Sequence, residues 1–166
     1  MNSEILSVSK IKELLNEVPD PEIPVININE LGVVRNIEIL SEDSVTITIT
    51  PTYSGCPAMK VFEDDIVSKL QQNGVKTVNI KTVLSPPWTT DWITDEAKVK
   101  LKNYGIVPPE KVSSDKNVLL GKEKVLKCPR CDSQNTKMIS QFGSTACKAL
   151  YKCLDCLEPF DYFKCI

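Results

Sequence analysis

An α/β fold followed by a small cysteine-rich module is the class that this sequence predicts. Three observations carry the prediction. Helical and strand-like periodicities alternate from residue 3 to residue 105. Six of the seven cysteines crowd between positions 128 and 165. Charge also reverses along the chain. Residues 1–121 hold 12 basic and 17 acidic residues, a balance of −5, and residues 122–166 hold 8 and 5, a balance of +3. The expected architecture is a two-layer domain of helices over a small mixed three-stranded sheet, with a separate module at the C-terminal end.

Ile5, Leu6, Val8, Ile11, Leu14, Leu15 and Val18 recur at helical spacing, which predicts an amphipathic helix over 3–17. Pro19, Pro21 and Pro24 in "VPDPEIP" stop it, because proline cannot continue a helix and pushes its predecessor to an extended conformation. "VVRNIEIL", 33–40, reads as a strand. "SVTITIT", 44–50, alternates strictly, with Val45, Ile47 and Ile49 on one face, so the two make a hairpin joined through "SED". After Pro57, Met59, Phe62, Ile66 and Leu70 share one face of a helix that ends before Asn73-Gly74. "VKTVNIKTVL" is a third strand, and "SPPWTTDW" a polar, proline-rich loop. Thr94 caps a short helix whose first turn carries Asp95 and Glu96, and Gly105 ends it. The domains expected are 1–105, a linker over 106–121, and 122–166.

The last domain holds two C-x2-C pairs, Cys128 with Cys131 and Cys153 with Cys156, separated by 21 residues. Each pair offers two thiolates from one tight turn, and four sulfurs close a tetrahedron around zinc. The separation slightly exceeds the common window, yet structural zinc is favoured over iron or free thiols, which makes the module a C-terminal zinc ribbon. Zinc ribbons often touch nucleic acid. Here four thiolates and one zinc reduce the local +3 to about +1, which leaves no basic stripe for phosphates, so a ribbon that docks on protein is expected instead. Cys165 reads as a small buried hydrophobe. Cys147, at the glycine-bearing tip of "FGSTACKALY", is open between packing and function.

The net charge of −2 gives no general attraction to nucleic acid or anionic lipid. No apolar run approaches the roughly 18 residues of a membrane span. "MNSEILSVSKIKELL" lacks the basic end and apolar core of a signal peptide, so the expected location is the cytoplasm. Histidine is absent, which excludes histidine-based triads and mixed histidine sites.

Cys56, in "TPTYSGCPAMK", is the other thiol that matters. Pro57 suits the first position of a helix, which puts Cys56 at the N-cap beside free amides and the positive dipole end. Gly55 lets the chain turn sharply and approach a ligand. A presented, reactive or metal-binding thiol therefore stands against a cysteine packed at a strand–helix junction. Asp20 and Glu22 in "DPEIP" are either turn residues in a solvated loop or hard ligands or a base beside the thiol.

Together, "DPEIPVININELGVV" and "TPTYSGCP" resemble the small α/β family of metal–sulfur cluster biogenesis, with its D-P-E turn, L-G-[LV]-V strand start and T-x-x-x-G-C-P loop. Adding "SPPWTTDWI", "GIVPP", "CPRC", "FGSTACKALYKC" and "EPFDYFKC" extends the likeness over nearly the whole chain. The full set is similar to the family of D subunits associated with phenylacetyl-CoA epoxidase in aerobic phenylacetate degradation. The resemblance implies an accessory role in maturing a di-iron oxygenase and its flavin and [2Fe–2S] reductase, not oxygenation itself. It implies that Cys56 is the functional thiol, which carries transient iron, carries a nascent iron–sulfur cluster or only contacts the client. Gly55 and Pro57 set the geometry expected of it, exposed in a shallow pocket at the start of the second helix with Asp20 nearby. The implied partners are the oxygenase and reductase subunits, with a second copy of the chain as a further candidate.

Two other readings compete with this one. In the first, the chain is a structural subunit that docks on the oxygenase and carries no iron. In the second, Cys56 is an enzyme nucleophile activated by the helix terminus alone.

Overall fold

The computed structural model describes residues 6–53, 55–109 and 124–164. The element order is α1 (Val8–Leu15), β1 (Val34–Ser41), β2 (Ser44–Ile49), α2 (Ala58–Gln72), β3 (Thr77–Thr82), a 3-10 turn (Thr90–Trp92), α3 (Asp95–Tyr104), β4 (Ile106–Val107), β5 (Thr136–Ser140), β6 (Lys148–Cys153) and β7 (Pro159–Phe163). The chain divides into two compact units, Met1–Trp88 and Thr89–Ile166.

In the first unit β1 pairs antiparallel with β2, and β2 pairs parallel with β3, giving the mixed three-stranded order β1-β2-β3. The parallel pair requires a crossover, and α2 supplies it. Val45, Ile47 and Ile49 on β2 are fully buried. Phe62, Ile66 and Leu70 from α2 and Ile11, Leu14 and Leu15 from α1 complete this core. The first helix is shorter than its apolar periodicity suggests. Ser7 caps it, accepting from the Lys10 amide at 3.1 Å, so Leu6 lies outside and Val8 is exposed. Residues 3–5 of the expected helix lie outside the described residues.

The "DPEIP" segment is built around Asp20, whose Oδ1 accepts from the Glu22 and Ile23 amides at 2.7 Å each. The Asp20 amide in turn donates to the Ile26 carbonyl. This Asx turn satisfies amides that prolines on either side leave without a helix. The proline-rich loop after β3 is not wholly solvated. Trp88 is 6% exposed and its indole N–H donates to the Leu31 carbonyl at 2.9 Å.

In the second unit Thr94 caps α3, accepting from the Ala97 amide, and Gly105 closes it at a φ of 92°. A side chain at that φ would be strained. Residues 106 and 107, where the sequence places the start of the linker, form β4 and pair parallel with β7. Residues 110–121 of that linker lie outside the described residues. The ribbon sheet has the order β4-β7-β6-β5. Its core is Leu126, Ala149, Tyr151, Phe160 and Tyr162 with Cys128 and Cys153. Tyr151 stacks on Phe160 and meets Tyr162 edge-on. Among the described residues no helix is long and apolar enough to cross a membrane.

Candidate functional site

The two C-x2-C turns are built alike. The Cys128 amide donates to the Ser133 carbonyl at 2.8 Å, and the Cys153 amide to the Glu158 carbonyl at 2.9 Å. In each turn the residue after the second cysteine is left-handed: Asp132 at φ 58° and Leu157 at φ 64°. Backbone amides point at the sulfurs, Arg130 N to Cys128 Sγ at 3.4 Å and Cys156 N to Cys153 Sγ at 3.5 Å. The turns are tied together at their outer sides by Arg130 to Glu158 and by Asp155 to Ser133 and Asn135.

The four sulfurs converge. Cys128 and Cys156 are 3.7 Å apart, Cys131 and Cys153 are 3.6 Å apart, and all four lie within 4.8 Å of one another. A tetrahedron with metal–sulfur bonds of about 2.3 Å has edges of roughly 3.8 Å, so the donor set fits a four-coordinate soft or borderline metal. The thiols also compete for charge. The Ser133 amide lowers Cys131, but desolvation and the three neighbouring sulfurs outweigh it and push the thiol up to about 12. The Cys156 amide, aided by that of Asp155 and opposed by desolvation, holds Cys153 down to about 7. Cys156 moves up despite the Glu158 amide, through desolvation and contact with Cys153 and Cys128. Metal binding takes the cysteines as thiolates, so a cation among the four sulfurs would offset their mutual repulsion.

Cys56 is placed differently from its expected position. It is 9% exposed, so it is buried rather than presented in a shallow pocket. It also precedes the cap. Pro57 is the N-cap residue of α2 and offers no side-chain bond. The chain reaches it through a tight wind: the Cys56 amide donates to the Tyr53 carbonyl, and the Cys56 carbonyl accepts from the Met59 amide at 3.2 Å. Gly55 sits at φ 79°, a conformation that favours glycine, with open space where a Cβ would be.

Asp20 is 7% exposed and Glu22 half-buried, so the turn is not a solvated acidic loop at its centre. Cys56, Asp20 and Glu22 do not form a group of three metal-ligating atoms. Among the described residues only the ribbon cysteines do. Cys147 is buried at 6% exposure, with its sulfur 3.1 Å from Thr145 Oγ1. Cys165 lies outside the described residues. Sequence reasoning missed Thr50, whose buried hydroxyl in the "TPTYSGCP" loop has no hydrogen-bond partner among the described residues. A threonine in a run of loop polar residues carried no signal of that.

Two family descriptions match the chain in series. Residues 9–82 match "Iron-sulfur cluster assembly protein" and residues 112–164 match "PaaD zinc beta ribbon domain". A protein of Escherichia coli (strain K12), provisionally named as the D subunit of 1,2-phenylacetyl-CoA epoxidase, is 49% identical over 96% of this chain and 93% of its own length. An Fe-S protein maturation auxiliary factor of Porphyromonas gingivalis is 37% identical over 61% of this chain and 97% of its own. A solved structure from Bacillus anthracis, titled as a domain of unknown function, DUF59, is 29% identical with a TM-score of 0.53, over 56% of this chain and 89% of that one. The maturation factor and the DUF59 domain are matched almost end to end while this chain is only partly covered. The E. coli protein alone of these three runs the length of both parts. With its cluster-assembly domain, its four-cysteine ribbon and this full-length likeness, the chain belongs to the family of PaaD proteins, the D subunits of phenylacetyl-CoA epoxidase.

Proposed function

We propose that this chain is an accessory subunit of a phenylacetyl-CoA epoxidase system, which assists assembly of the iron or iron–sulfur centres of the oxygenase or reductase and does not itself oxygenate. The observation that carries the reading is the 49% identity to the E. coli protein over nearly the full length of both chains. The match of residues 9–82 to iron–sulfur cluster assembly proteins supports the kind of help given. The ribbon holds zinc through Cys128, Cys131, Cys153 and Cys156 as a structural element.

In this reading Cys56 is the thiol that meets the metal cargo. Among the described residues three converging ligands are lacking there, so these residues leave an ion on Cys56 with open positions. It is completed by sulfur or oxygen donors of the client, which favours release over retention. Asp20 holds the "DPEIP" turn through its two short amide bonds, and Glu22 follows it in that turn.

The burial of Cys56 favours one alternative, a docking subunit without metal transfer. Coexpression of the oxygenase and reductase with wild-type chain, with Cys56→Ser, or with no chain separates the two. Iron and zinc content and epoxidation are measured on the purified complex. Loss of iron loading with the folded Cys56→Ser variant supports assembly. Full loading and activity in that variant leave docking as the function.

A further inference from the structure

A cavity of about 370 Å³ lies between α1 and β1 in the first unit. It forms where β1 is irregular. Val34 pairs with Ile49 and Asn36 pairs with Thr48, so Arg35 is an extra residue with no position opposite it on β2. In a regular strand Arg35 and Asn36 would point to opposite faces. The bulge brings both of these exposed residues to the wall of one cavity. Bulges re-aim side chains in this way beside functional sites.

The opposite wall comes from α1, through Lys12 and the C-cap residue Asn16. Asn29 Nδ2 donates to the Lys12 carbonyl and to Asn16 Oδ1, each at 2.9 Å. The second bond engages the oxygen of the Asn16 amide and leaves its NH2 as a donor. The last carbonyls of α1, which would repel an anion, are already taken. Those of Lys12 and Glu13 accept from the Asn16 amide, that of Leu14 from Glu17 and that of Leu15 from Val18.

The charge of the cavity runs against that of the unit around it. Residues 6–88 hold 7 basic and 11 acidic residues, a balance of −4. Four of the lysines pair with carboxylates: Lys10 with Glu13, Lys60 with Asp64, Lys69 with Glu17 and Lys76 with Asp43. The cavity gathers two other cations, Lys12 and Arg35, and no carboxylate is among its described lining residues. Two cations and amide NH2 groups make a wall of donors, which suits an anion with two charges and several oxygens. A phosphate monoester is such an anion near neutral pH, and a guanidinium matches its oxygens in pairs. Val8, 43% exposed, and half-buried Val34 give the cavity an apolar side as well. The volume lies in the range of small-molecule sites, about 300–1,000 Å³, and exceeds what a bare phosphate ion fills.

We propose that this cavity binds a small molecule carrying a phosphate monoester, with the phosphate on Lys12, Arg35 and Asn16 and the organic body against Val8 and Val34. Cys56, Asp20 and Glu22 are not among its described lining residues, and the proposal does not depend on the assembly role.

The test titrates the zinc-loaded full chain with phenyl phosphate at fixed ionic strength, followed by calorimetry and by backbone amide NMR shifts. Inorganic phosphate, which lacks the ring, and benzoate, which carries a single charge on the same ring, are titrated in parallel. Phenyl phosphate saturates one site, shifts the amides of Arg35, Asn36 and α1, and binds roughly tenfold more tightly than either comparison ligand. Lys12→Gln and Arg35→Gln each weaken it roughly fivefold. Lys76→Gln, which removes the same charge from the pair with Asp43, leaves it unchanged. The amide spectrum reports the fold of each variant, and Lys12→Gln decides the matter if Arg35→Gln does not fold. No saturable binding, shifts confined to other residues, or equal affinity for inorganic phosphate or benzoate overturns the proposal. So does wild-type affinity in folded Lys12→Gln, or a loss in Lys76→Gln that matches it.

Discussion

Leu157→Gly should tighten the ribbon's hold on its metal. Leu157 follows the second cysteine of its turn at φ 64°, where a Cβ is crowded against the following carbonyl. That conformation costs an L-residue about 1–2 kcal/mol, whereas glycine adopts it freely. Glycine gives back about 0.5–1 kcal/mol through its greater freedom in the unfolded chain. The side chain is 64% exposed, so deleting it removes little packing. The net gain is about 0.5–1 kcal/mol. Folding and metal binding are one event in such modules, so the gain appears as a two- to fivefold rise in zinc affinity, roughly. Competition with a chromogenic chelator measures it. Leu157→Ala is the control, because alanine loses the same packing and keeps the strain. If Leu157→Gly binds zinc no more tightly than Leu157→Ala, the strain argument is refuted. The equivalent change at Asp132 should gain less, since aspartate tolerates the left-handed region better and Asp132 pairs with Lys102 at 3.7 Å.

Three further outcomes follow from the geometry. Cys153→Ser should lose the metal and unfold the ribbon while the β1-β2-β3 sheet stays folded, since metal binding supplies about 10–16 kcal/mol in structural zinc sites; metal analysis with hydrogen exchange of each unit checks it. Asp20→Asn keeps an oxygen acceptor for the Glu22 and Ile23 amides and should cost under about 1 kcal/mol, while Asp20→Ala strands both amides and should cost about 3 kcal/mol in denaturant unfolding. Thr50→Val removes a buried hydroxyl that has no partner among the described residues and should raise stability by about 1 kcal/mol; a fall in the unfolding midpoint would contradict this.

What could be read from the sequence was whatever short-range chemistry decides. Pro57 and the Phe62, Ile66, Leu70 face marked α2, and β2 followed its alternation. The ribbon ligands were legible because metal binding demands one residue type at one spacing. Periodicity failed where a single capping bond decides, as at Ser7, because the apolar face runs on through Ile5 regardless. It failed for β4, whose two residues become a strand only because β7 lies beside them more than fifty residues later. It failed most at Cys56. Gly55 and Pro57 announce a turn before a helix, but which distant side chains cover the sulfur is not written in the neighbouring letters.

The pairing of sulfurs across the ribbon has a topological meaning. Cys128 and Cys156 are 28 positions apart, and a metal shared between them closes the chain into a ring. Closing a ring of that size removes roughly 3.5 kcal/mol of freedom from the unfolded chain on the loop-entropy model. The increment grows only with the logarithm of ring length. Residues can therefore be added to or lost from the hairpin tip at 141–147 with almost no effect on what the metal contributes. The clasp is indifferent to the length of the cord it fastens, so whatever limits the length of the tip is its own packing and not the metal.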